Sequence, residues 1–135
     1  MAIDLNKISP MGDTAAEYIQ GVTYELDGDG EGLWGIVPGG RSFGFEGEDL
    51  QEFVRLCILR MLEVGGVPVR HATSGVLRWL EQTQYGTSPE EIAAGIIAEW
   101  RGAGGGDPDW DWLWFVTREV LNSARRWQAS QPGAK

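Results

Sequence analysis

Residues 22–45, VTYELDGDGEGLWGIVPGGRSFGF, decide which fold the chain reads as. Val22, Tyr24 and Leu26 alternate with Thr23 and Glu25, the two-residue period of a half-buried strand. DGDGEG has the aspartate and glycine chemistry of a hairpin loop. LWGIV at 33–37 then reads as a second strand stopped by PGG, and RSFGF at 41–45 as a third, with Phe43 and Phe45 sharing a face. Consecutive strands joined by short loops make an antiparallel meander the economical arrangement.

The same loop carries Asp27, Asp29 and Glu31 at alternate positions with Gly32 next, as in the first half of a calcium loop. The match stops there. Position twelve, where a bidentate Glu belongs, is Pro38, position nine is Gly35, and the flanks read as strands rather than paired helices. A solvated acidic turn is the better reading, so no metal or other cofactor is expected, and Asp27, Asp29 and Glu31 stay only as weak metal candidates.

Working outward, EDLQEFVRLCILRMLEVGG repeats Leu50, Phe53, Val54, Cys57, Ile58, Met61 and Leu62 at helical spacing, ending at Gly65-Gly66. Glu48 and Asp49 fall in its first turn, where the helix dipole favours negative charge. VPVRHA after it is extended, because Pro68 biases Val67 away from helix. SGVLRWLEQTQ at 74–84 reads as a further helix. SPEEIAAGIIAEW is the clearest local signal: Ser88 caps, Pro89 takes the first turn, and Glu91 completes a capping box. Asp107 would cap a last helix through DWDWLWFVTREVLNSARRWQ. At the other end, a short helix through AAEYIQ starts from Ser9-Pro10 or from Asp13. The fold class is therefore α+β: a small three-stranded antiparallel sheet packed against a layer of about four helices. One compact domain over residues 1–135 is expected, with frayed ends at 1–8 and 129–135.

Charge and composition set the function classes. Twenty acidic against eleven basic residues give a formal charge of -9, which repels phosphate backbones and disfavours a nucleic-acid partner. The most apolar stretch, LCILRMLEVGGVPV, is broken by Arg60 and Glu63 and is too short to span a bilayer. With no secretory signal and a single Cys57, a cytoplasmic location is expected.

No catalytic constellation stands out. A Cys57–His71 pair would need an exposed thiolate, and LCIL around Cys57 argues for burial. His71, the only histidine, with Glu52 and Glu63 on the central helix, forms the weak catalytic set; the enzyme question stays open and leans to no. Acid and aromatic residues are better placed for binding. Asp27, Asp29, Glu31, Glu48 and Asp49 crowd the first half around Trp34. Trp110, Trp112 and Trp114 cannot all share one face of a helix, because positions two apart diverge by about 200°; Trp112 is taken as the partly exposed one. The leading expectation is a protein-binding domain, of immunity, inhibitor or chaperone type, that occludes a basic partner through an acidic surface with aromatic anchors. The alternatives are a small enzyme or ligand-binding domain with a pocket around His71, and a homo-oligomeric structural module.

Overall fold

The structure, a computed structural model, describes residues 2–72 and 79–130. Its elements are α1 (Ala15–Gly21), β1 (Glu31–Gly32), α2 (Leu33–Ser42), α3 (Gly47–Glu63), β2 (Gly66–His71), β3 (Trp79–Glu81), α4 (Pro89–Gly102), β4 (Trp114–Thr117) and α5 (Arg118–Ala129). The mixed helix-and-sheet class holds, with an antiparallel sheet ordered β1-β4-β2-β3. Among the described residues four strands take part, and none comes from the positions that the meander reading chose. No helix among the described residues is long and apolar enough to cross a membrane.

Two layers cover the sheet. Along β4 the side chains alternate. Phe115 joins the main core with α2, α3 and α4, whereas Val116 packs with Val67, Val69 and Leu121 of α5. α3 supplies the wall of the main core through Leu50, Phe53, Val54, Cys57, Ile58 and Met61, as its periodicity predicts. α4 is capped by the reciprocal Ser88–Glu91 box and buries Ala93, Ile96 and Trp100. Pro68 sits in the inner strand β2 at little cost. Its carbonyl accepts from the Gln82 N–H at 2.9 Å, and its missing donor falls opposite position 82, just beyond the end of β3.

The meander is corrected at every strand. Residues 22–26 form turns in which Val22 and Leu26 are buried four apart while Tyr24 is 82% exposed. That spacing satisfies a helical turn as well as a strand. LWGIV opens α2 instead, burying Leu33, Ile36, Val37 and Gly40 at helical intervals. The glycines that suggested a strand stop serve close packing. A Cβ on Gly39 would lie 2.5 Å from the Tyr18 hydroxyl, and one on Gly40 would lie 2.7 Å from side-chain carbons of Leu50 and Phe53. Phe43 and Phe45 do share surroundings, in a ring cluster with Phe53. They leave the end of α2 through Gly44 at φ 91° rather than forming a strand.

Three other elements shift. Within the expected helix 74–84, residues 74–78 lie outside the described residues and 79–81 are strand β3. The last helix begins only at Arg118. WFVT before it is a β-branched and aromatic run that becomes the inner strand β4, and the Thr117 hydroxyl accepts from the Val120 N–H as an N-cap would. α1 starts from Thr14, which forms a capping box with Glu17, and not from Ser9 or Asp13. The carbonyls of Lys7 and Leu5 accept from the Ala15 and Ala16 N–H groups, so the N-terminal residues bond to the start of α1.

Candidate functional site

The end of β2 gathers the aromatic residues. His71 lies opposite Trp79 in the β2–β3 register, and Trp114 lies opposite Val69, two residues earlier on the same face. That places the imidazole 4.3 Å from the Trp79 ring and 5.5 Å from Trp114, the latter edge-on. The connection from α4 to β4 brings the third indole. The Trp114 Nε1–H donates to the Trp110 carbonyl at 2.6 Å, and the Trp110 ring stacks on His71 at 4.6 Å and 12°. Gly32, paired with Trp114 across β1–β4, lets that ring lie over the strand: a Cβ there would come within 2.8 Å of the indole. Trp110 is 49% exposed, so the stack has one open face.

Burial lowers the His71 pKa below its usual 6.5, against a smaller opposing pull from Asp111. The Nε2 atom is buried with no hydrogen-bond partner among the described residues. The imidazole is thus held neutral among indoles. Glu52 and Glu63, the weak acid/base candidates, are engaged elsewhere, Glu52 by Arg55 at 2.8 Å and Glu63 by Arg60 at 2.5 Å. Cys57 is fully buried, and burial pushes its thiol well above the usual range.

Beside the aromatic face opens a cleft of about 400 Å³ between α4, the end of β2 and the 106–112 connection. Arg70 and Glu99 meet in it at 2.8 Å, and Glu99 also accepts from the Trp112 Nε1–H at 2.8 Å and the Tyr85 hydroxyl at 3.1 Å. Trp112 is therefore half-buried and tied down, and Trp110 is the more exposed of the two. Asp107 does not cap a helix. It accepts from the Arg41 Nε–H at 2.9 Å, and the same guanidinium bonds Glu46 and the Gly105 carbonyl. Asp109 and Asp111 stand exposed at the rim.

The other binding candidates are dispersed. Asp27 and Asp29 are exposed in the turn before β1, and Trp34 is 50% exposed in the first turn of α2. Glu48 and Asp49 are exposed in the first turn of α3. Glu31 pairs in register with Phe115 and shares its core-facing side of the sheet; burial first, and Glu25 second, raise its pKa from 4.5 to about 7. Among the described residues no group of three His, Cys, Asp or Glu side chains is gathered as a metal ion would need. Sequence reasoning missed Trp114 beside His71, and Glu99, Asp109 and Asp111 beside Arg70, because strand register makes the first grouping and the fold of the 103–113 connection against α4 makes the second.

No protein-family model, no curated protein and no solved structure matches this chain.

Proposed function

We propose that this chain binds a cationic segment of a partner protein, with Trp110 as the anchor and Asp109 and Asp111 as the charged rim. The observation that carries the reading is the Trp110 indole, half-exposed yet fixed in place by the His71 stack, next to exposed carboxylates. A pre-positioned aromatic ring binds without losing rotamer freedom, and it attracts a cation through its face. The formal charge of -9 steers a basic partner towards the surface. Occlusion of that partner, in the manner of an immunity or chaperone protein, is the form of action proposed. A cytoplasmic setting belongs to the same proposal, in keeping with the single buried thiol of Cys57.

Titration with arginine- and lysine-rich peptides, against acidic and neutral peptides of equal length, tests the reading. Selective binding of the basic set, weakened at least tenfold by W110A, is expected. Equal affinity for all three sets, or basic-peptide binding indifferent to W110A, would overturn it. So would light scattering that shows a dimer which W110A returns to the monomer.

A further inference from the structure

The cleft beside the Trp110 face narrows the chemistry of the cation. Its volume, about 400 Å³, falls within the range of small-ligand clefts, roughly 300–1,000 Å³. Its carboxylates differ in what they can still accept. Glu99 already accepts from Arg70, Trp112 and Tyr85, and that network fixes the Trp112 indole in the wall. Asp107 is paired with Arg41, which it shares with Glu46. Arg70 is neutralised by Glu99 and does not oppose an incoming cation. Asp109 and Asp111 remain, exposed at the mouth, their carboxylates with no hydrogen-bond or ion-pair partner among the described residues. The cleft therefore combines the half-buried Trp112 indole in its wall with two carboxylates at its rim that make no hydrogen bond or ion pair among the described residues.

We infer that this cleft seats a guanidinium group. A guanidinium is planar and weakly hydrated, stacks on indole faces, and spreads five N–H donors over carboxylates on either side; an ammonium is compact and strongly hydrated and uses indole surface less well. The group arrives on an arginine side chain of the partner or on a free small molecule. This inference rests on the cationic-partner reading and assigns the position and kind of its central contact.

Binding is followed by the Trp112 indole N–H resonance and by calorimetry, with N-acetyl-arginine amide, the neutral isostere N-acetyl-citrulline amide, N-acetyl-lysine amide and agmatine as probes. Saturable shifts with the two guanidinium compounds are expected. Citrulline amide should bind at least tenfold more weakly, lysine amide more weakly than arginine amide, and D109N/D111N should weaken arginine amide at least tenfold. A tighter fit for arginine amide than for agmatine identifies a partner side chain as the source, and the reverse identifies a small molecule. Equal binding of arginine and citrulline amides to the unmodified protein, which needs no variant to fold, overturns the assignment. So does the absence of any saturable shift. If that happens while W110A still abolishes binding of basic peptides, the cleft assignment falls and the cationic-partner reading stands.

Discussion

The imidazole of His71 and the indole of Trp110 lie 4.6 Å apart between centroids and 12° from parallel. This contact joins the end of β2 to the α4–β4 connection and completes the aromatic face. Trp110 shields one face of the imidazole, and burial is the main cause of the lowered His71 pKa.

Trp110→Ala should therefore raise the His71 pKa towards the ordinary 6.5. Loss of the stack should also cost about 0.5–1.5 kcal/mol. His71 is the only histidine, so its ring C–H resonances can be titrated without assignment. In the unmodified protein the unfolded chain takes up the proton before the folded one does. Stability should thus be unaffected by this group well above pH 6.5 and fall as pH drops through it. A wild-type value at or above 6.5, or one unmoved by W110A, would contradict the burial argument.

Glu31 titrates in the opposite sense. Its carboxyl is held at about 7 against an ordinary 4.5, so the folded chain keeps a proton that the unfolded chain releases. Stability should fall as pH rises from 4.5 to 7 and then level off. Glu31→Gln removes the penalty. Discounted for the partial exposure of the group, the gain should be on the order of 1–2 kcal/mol at pH 8 and close to nothing at pH 4. Urea unfolding at the two pH values measures the difference. Equal effects at both would show that packing, rather than charge, sets the behaviour of this residue.

The packing of residues 33–42 has a direct test in its glycines. Gly40→Ala forces a methyl against Leu50 and Phe53 and should destabilise by about 1–3 kcal/mol. A Cβ on Gly35 would meet nothing within 4 Å, so Gly35→Ala should stabilise by roughly 0.5–1 kcal/mol through helix propensity alone. Opposite signs from two Gly→Ala changes in one short segment are expected because Gly40 faces Leu50 and Phe53 whereas Gly35 faces open space. Thermal unfolding of the two variants reads both.

This segment also shows where the sequence was legible. α3 and α4 could be read because long periodic runs, capping residues and dipole charges agree. LWGIV is too short to separate the two periods, and PGG looks the same whether it stops a strand or lets α2 approach Tyr18 and α3. WFVT lay hidden behind the Asp-Pro pair that resembles a helix start, although Asp107 is drawn to Arg41 across the fold. The acidic and aromatic character of the site was visible in the composition. Its membership was not, since His71, Trp79 and Trp114 meet through strand register, and Arg70 meets Glu99 across 29 positions of chain.

The two acidic groups should separate kinetically. Asp27 and Asp29 are exposed beside the strand that Trp114 covers and do not line the cleft, while Asp109 and Asp111 stand at its rim. Neutralising Asp27 and Asp29 should reduce only the association rate of an arginine-rich peptide, about two- to fivefold at low salt, and the effect should shrink as the Debye length falls to about 8 Å near 0.15 M. Neutralising Asp109 and Asp111 should speed dissociation as well, because those carboxylates touch the bound cation, and part of that effect should survive at high salt. Stopped-flow fluorescence from the tryptophans, run across ionic strength, resolves both rates. If the Asp27/Asp29 pair changes dissociation and the Asp109/Asp111 pair does not, the cation sits against the turn before β1, and the anchor must be sought at Trp34 instead of Trp110.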